Sequence, residues 1–339
     1  MTPAIPLFPD PGATTGAALP SLQQLGVDNA GAIRLLRSMN IPDYSKGQLS
    51  QCSPAFSPDG RLLVGACGKN RAPVWEVQTG ALVYTLYDAP VQVAACAFSP
   101  DGKYIACGGF DKAVTLWDAA TGGKIGRLDG HTAPVWDLAF HPDGKSLASC
   151  SLGLLGGGAG RGDVRLWSPL DAQPIWLYSG TRDYLSLSFH PSGKVIAYGS
   201  IGGSLGILDA ETGVLLTELT DSRHNIGGIA YSPGGLWLAA GSDDWRIHLW
   251  STSNYRQEAM FEGHKGYVNG VAFSPDETLL VSGSHDRTVG VWDVAGRKLI
   301  TQLTGHEGEV LRVAFSPDGT LIASISWDGT VRLWGAVKK

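Results

Sequence analysis

The chain has 339 residues, 17% of them charged, and a formal net charge of −5. That balance argues against a nucleic-acid surface, which carries a basic excess. No apolar run approaches the ~18 residues needed to span a bilayer, so neither a nucleic-acid nor a membrane partner is expected. The five cysteines form no CxxC pair and no metal-ligand spacing, so buried free thiols are expected and no metal or cofactor. The amino terminus lacks the basic start and apolar core of an export signal, which sets a cytoplasmic expectation.

In chain order, residues 1–32 come first. Five prolines fall in the first 20 positions with little periodicity, the pattern of a flexible leader. Val27–Gly31 leads into Ile33–Arg37, and from there one unit repeats. Its marker is Phe56-Ser-Pro-Asp-Gly60, followed by copies that start at Phe98, Phe140, Phe189, Tyr231, Phe273 and Phe315. A nearly constant step of about 42 residues means one supersecondary unit repeated, here seven times. The repeats are numbered 1 to 7.

Repeat 6 shows the unit most clearly. Val268–Phe273, Leu279–Ser284, Val289–Asp293 and Lys298–Leu303 are rich in β-branched residues and predict four strands. Ser274–Glu277, His285–Thr288 and Ala295–Arg297 are turns, set by proline, aspartate and glycine. Four strands with tight turns give one antiparallel sheet. Apolar residues on both faces require neighbours on both sides, which a ring of seven sheets supplies. Repeat 7 ends after its third strand. Counting back from Phe56, Met39–Tyr44, extended to Ile33–Arg37, supplies the missing fourth strand and closes the ring.

Each repeat also carries a third-strand aromatic residue at a fixed offset: Trp75, Trp117, Trp167, Trp250, Trp292 and Trp334, with Leu208 in repeat 4. Asp118 and Asp293 complete a Trp-Asp pair, and Gly130-His131, Gly263-His264 and Gly305-His306 precede first strands. In these features residues 33–337 resemble WD40 repeats, with near-identical FSPDG units in the style of bacterial members. The resemblance implies a single all-β domain, a seven-bladed β-propeller of four-stranded antiparallel blades whose last blade is closed by the N-terminal strand. It also implies a monomeric, non-catalytic scaffold that binds protein partners.

The family's hydrogen-bonded tetrad maps onto His264, Ser282 or Ser284, Asp286 and Trp292, with Ser284 preferred, and onto His306, Ser324 or Ser326, Asp328 and Trp334, with Ser326 preferred. Repeats 1, 2, 4 and 5 have Gly47, Ala89, Gly180 and Ser222 where the histidine would stand, and repeat 3 has an altered turn. These sets are read as structural rather than catalytic.

Little else in the sequence carries chemistry. Gly202–Gly206 fits G-x-S-x-G but lies between strands, not at a strand-to-helix turn. Gly156–Gly162 lacks the P-loop spacing. What stands out is one face of the ring, where the turn between strands 2 and 3 meets the entrance to strand 1. Phe110, Trp136, Trp245, Tyr267, His285 and Trp327 fall there and are the candidate partner-binding residues, because exposed aromatics mark interfaces. Leu152–Gly162 lengthens the repeat 3 turn on the same face. The runner-up reading is a propeller enzyme or small-ligand sensor that uses the central channel.

Overall fold

The protein is described by a computed structural model covering residues 17–42, 53–65, 69–153, 161–219 and 224–338, with the backbone alone for 69, 70 and 87–91. Every blade begins from the same turn. In blade 6 the Ser274 hydroxyl donates to Asp276 Oδ1 (2.6 Å) and accepts from the Leu279 amide (2.9 Å). The Glu277 amide closes the turn on the Ser274 carbonyl at 2.9 Å. The residue after the aspartate must be left-handed, and in four blades it is glycine: Gly60, Gly102, Gly144 and Gly319 have φ between 68° and 73°. Glycine adopts that region without the Cβ clash.

The four strands expected in repeat 6 are present with the same bounds, hydrogen-bonded in sequence order and antiparallel. Blades 3, 4 and 5 repeat this arrangement. Blades 1 and 2 are joined into one seven-stranded sheet because Leu82–Phe98 runs on from the last strand of blade 1 into the first of blade 2. First strands lie side by side around an axis. Val310–Phe315 of blade 7 contacts both Val268–Phe273 of blade 6 and Pro54–Phe56 of blade 1, so the ring is closed.

The core lies between blades. Val281, Val289 and Val291 of blade 6 pack on Val310, Val313 and Ile322 of blade 7, all buried. Each such side chain contributes about 1.5–3 kcal/mol on burial. Outer strands such as Lys298–Leu303 are only half buried.

Closure uses both chain ends. Arg34–Asn40 pairs antiparallel with Thr330–Val337, from Arg34 opposite Gly335 to Asn40 opposite Thr330. The closing strand therefore ends at Asn40; the rest of the expected segment falls partly on residues 43–44, outside the described residues. Leu22–Gln23 adds to the same edge, opposite Val337 and Ala336.

Residues 17–32 lie against the ring. Leu25 and Ala30 are buried against blades 6 and 7, Leu19 joins the blade 7–blade 1 core, and the Leu25 amide donates to the Gly319 carbonyl at 2.8 Å. Residues 1–16 lie outside the described residues.

Candidate interaction surface

One backbone hydrogen bond recurs in six blades and builds the candidate face. The residue after the second strand donates its amide to the carbonyl of the residue entering the first strand: Phe110 to Gln92, Leu152 to Pro134, Ile201 to Asp183, Asp243 to Asn225, His285 to Tyr267 and Trp327 to Glu309, all between 2.9 and 3.1 Å. Side chains from these two sets of positions therefore meet in pairs on one end of the ring.

On blades 2 to 4 the residues after the second strand, Phe110, Leu152 and Ile201, are apolar and pack together with Trp136 and Leu185. Phe110 and Trp136 lie 6.0 Å apart, and Trp136 packs with Leu152, Leu185 and Ile201. Trp136 is only 9% exposed, so it is not an exposed anchor. Leu152, the first residue of the lengthened turn, packs on it and is itself buried. Asp183 pins both ends of that turn, accepting from the Gly153 amide at 2.6 Å and the Gly162 amide at 2.9 Å. Residues 154–160 of the turn lie outside the described residues.

On blades 5 to 7 two side chains face outward, while Trp327 packs partly buried on the core between blades 7 and 1. Tyr267 is 47% and Trp245 50% exposed. Tyr267 contacts His285 at 5.0 Å between ring centroids, and His285 contacts Trp327 at 6.0 Å. Glu309 Oε2 lies 3.2 Å from His285 Nδ1. Burial pulls the His285 pKa below the ordinary histidine value, against the opposing pull of the Glu309 and Asp286 carboxylates. Trp245 sits at φ +74°, a left-handed conformation that blade 7 fills with Gly329 (φ +83°). A bulky side chain there is strained.

The tetrads lie inside the blades. In blade 6, Trp292 Nε1 donates to Ser282 Oγ (2.8 Å), Ser282 Oγ meets His264 Nε2 (2.7 Å), and His264 Nδ1 meets Asp286 Oδ2 (2.7 Å). Blade 7 repeats this with Trp334, Ser324, His306 and Asp328 at 2.8, 2.7 and 2.8 Å. Every group is satisfied when the serine donates to Nε2 and Nδ1–H donates to the carboxylate.

The hydroxyls in the network are thus Ser282 and Ser324, not Ser284 and Ser326. The latter stand at the strand ends and accept the turn amides of Asp286 and Asp328, each at 3.1 Å. Alternation along the strand puts residues two apart on one face, so the sequence alone did not separate them. The Ser–His–Asp order imitates a hydrolytic triad. Both network serines are fully buried and already accept from a tryptophan, so neither is an available nucleophile.

Sequence reasoning missed two related networks. In blade 3 Asp163 sits after the lengthened turn, yet its carboxylate still meets His131 Nδ1, while Ser149 Oγ takes His131 Nε2 (2.6 Å) and Trp167 Nε1 (2.8 Å). The insertion shifts the aspartate's number but not its place. In blade 5 His248, from the third strand, bonds Asp244 at 2.9 Å and stacks on Trp250. Between blades 3 and 4, Tyr178 of blade 3 instead packs with Tyr184 and Tyr198 of blade 4, the rings 4.9–6.1 Å apart. Trp117 of blade 2 has a buried indole N–H with no partner among the described residues.

The axis of the ring is crossed by Arg312. Its guanidinium donates to the carbonyls of Asn269 (2.9 Å) and, on the far side, Leu185 (3.1 Å), and lies 3.7 Å from Asp137 Oδ2. Gly270 and Gly228 leave room for it: a Cβ on either would come within 3.0 Å of the arginine side chain. Among the described residues no group of three or more His, Cys, Asp or Glu could hold a metal ion, and no helix is long and apolar enough to cross a membrane.

A closed ring of seven antiparallel blades with Trp–Ser–His–Asp networks defines a repeat-propeller protein. The model of the WD domain, G-beta repeat, matches residues 80–118, 122–168, 213–251, 255–293 and 297–335, more than half of the chain. The chain belongs to the WD40 repeat family. Most of blade 4, which has Leu208 in place of tryptophan, falls outside the matched segments.

Among curated proteins, Echinoderm microtubule-associated protein-like 2 of Mus musculus is 33% identical over 109 residues, 31% of this chain and 17% of that protein. Echinoderm microtubule-associated protein-like 1 of Rattus norvegicus is 33% identical over 107 residues, 30% of this chain and 13% of that protein. Echinoderm microtubule-associated protein-like 4 of Homo sapiens is 33% identical over 109 residues, 31% of this chain and 11% of that protein. The chain thus matches less than a fifth of the length of these relatives.

Proposed function

We propose that this propeller is a non-catalytic scaffold that seats a protein partner on blades 5 to 7 of the face described above. Trp245, Tyr267, His285 and Trp327 are the anchors, and Phe110 and Trp136 form the packed floor beside them. The observation that carries this reading is Trp245: half exposed and left-handed, it is strained and unburied at once. Lys112 and Arg287 take the same left-handed place in blades 2 and 6; what sets Trp245 apart is a large aromatic ring left in solvent there, and such aromatics dominate interface energetics. Arg312 across the axis speaks against the alternative of an enzyme or sensor working through the channel. A monomer acting in the cytoplasm, without nucleic acid or membrane, completes the reading. The names of the relatives make a cytoskeletal partner the first to try.

The test is affinity capture and microtubule co-sedimentation, with each retained partner then measured against variants. Replacing one true anchor by alanine costs ~2 kcal/mol or more, roughly thirtyfold in affinity. Combined alanine substitutions at Trp245, Tyr267 and Trp327 are expected to abolish binding. Charge reversals at Lys103, Lys145 and Lys194, beside the turns of the opposite face, are expected to leave it intact. The converse pattern would place the partner on the other face.

A further inference from the structure

The cysteines of blade 2 are not isolated. Cys96, in the first strand, and Cys107, in the second, are direct cross-strand partners in the register of the hairpin. Their sulfurs lie 2.9 Å apart. The Cys96 amide does not point at Cys107: it donates to Ser53 Oγ of the neighbouring blade at 3.2 Å. The pair is therefore a non-hydrogen-bonded one, the kind in which Cα atoms approach to about 4.5 Å and side chains are closest. That separation falls inside the window a disulfide requires, about 4.4–6.8 Å.

Access comes from one side. Cys107 lines a narrow cleft between blades 1 and 2, together with Gln92, Asp111, Thr115 and Trp117. Trp117 is the tryptophan whose indole N–H has no partner among the described residues. Cys96 lies behind Cys107 and does not line the cleft. A small polar hydroperoxide has a path to Cys107 and a donor beside it; a bulky thiol reagent has neither the room nor the path.

We propose that Cys96 and Cys107 are a modification site, oxidised by hydrogen peroxide to a cross-strand disulfide that staples blade 2. The Cys107 thiolate attacks one peroxide oxygen, the O–O bond breaks, and the hydroxide released takes up the thiol proton as water. The sulfenic acid formed is then attacked at sulfur by the Cys96 thiolate. The S–S bond forms, the S–O bond breaks, and a second water leaves. Two thiols lose two electrons and one peroxide gains them. Burial, then the hydrogen bond and charge of Cys107, holds the Cys96 thiol pKa well above the usual value. Since the thiolate is the reactive form, oxidation is slow at neutral pH and quickens as pH rises.

The experiment treats the folded full-length chain with hydrogen peroxide, blocks remaining thiols under denaturing conditions, and digests with trypsin. Cleavage at Lys103 separates the two cysteines into peptides 72–103 and 104–112. The expected result is one species with the mass of both peptides less two hydrogens, lost on reduction and unchanged in Cys150→Ser. In Cys96→Ser the sulfenic acid on Cys107 persists and is trapped by a cyclic 1,3-diketone added together with the denaturant. The oxidised protein also unfolds at a higher midpoint than the reduced one. No joined peptide after prolonged treatment, or Cys107 joined instead to Cys52 or Cys67, would overturn the assignment.

Discussion

Arg312 and Asp137 meet across the axis of the ring, from blades that are not neighbours, with 3.7 Å between guanidinium and carboxylate. The same guanidinium binds the Leu185 carbonyl, and the Asp137 carboxylate also accepts from Ser186 Oγ (2.9 Å) and the Leu187 amide (3.1 Å). One side chain thereby ties blade 7 to blades 3 and 4. Arg312→Met keeps volume and removes the charge, leaving a partly buried carboxylate and two carbonyls without it. We expect a loss of about 3 kcal/mol, read by denaturant titration. A double-mutant cycle with Asp137→Asn should show coupling. Additive losses would mean the two groups do not interact.

The tetrads give a second comparison. Trp292→Phe keeps the ring but removes the donor to Ser282, and should cost ~1–3 kcal/mol. Trp117→Phe removes an indole N–H that has no partner among the described residues, so its cost should be clearly smaller. Equal shifts in the unfolding midpoint would show that packing, not the network, is what these tryptophans contribute.

Acid should loosen blade 3 in a defined window. Burial pushes the Asp163 carboxyl up, but the hydrogen bond and charge of His131, with help from Ser151 and Arg165, bring it down to about 2. Its unfolded value is near 3.9. A carboxylate depressed in the folded state stabilises fully above the unfolded value, and that share is lost as pH falls from about 4 to about 2. Asp286 and Asp328 are also held low, so blades 6 and 7 act in the same direction. Asp163→Asn should be less stable than the parent at neutral pH, and the gap should narrow through that window. A gap independent of pH would contradict the assignment.

The strands of blade 6 could be read residue by residue from the sequence, because β-branched runs are separated by the turns Ser274–Glu277, His285–Thr288 and Ala295–Arg297. The place of Asp163 could not, since the insertion moved it along the chain while leaving it in space. Ser282 and Ser284 share a strand face, and only the depth of the tryptophan separates them. Trp136 read as exposed because nothing local shows that Leu152 will fold over it. The pairing of Cys96 with Cys107 was in principle legible: both lie at equal distances from the centre of one hairpin turn. Arg312 reaching Leu185 belongs to the closed ring alone.

Trp245 supplies a prediction with opposite signs. Trp245→Gly relieves a left-handed aromatic at φ +74° and should stabilise the fold by about 1 kcal/mol. The same change should weaken partner binding. A variant that is less stable than the parent would show that the indole packs in place, and that its strain is not held for binding.

Leu25 tests whether the N-terminal segment belongs to the fold. It is 1% exposed, against blades 6 and 7. Leu25→Ala should cost about 2–5 kcal/mol, as in other cores. A change within the error of thermal unfolding would make residues 17–32 an accessory.

The shared last blade also sets a clock during synthesis. Arg34–Asn40 emerges early, and its partner Thr330–Val337 is made almost 300 residues later. At about 5–20 residues per second, the closing strand waits roughly 15–60 s for its mate. Six blades can assemble in order as they leave the ribosome, while the seventh must be completed by a segment whose edge has been open throughout. Chaperone engagement should therefore concentrate on that early strand, and release should coincide with the emergence of Thr330–Val337.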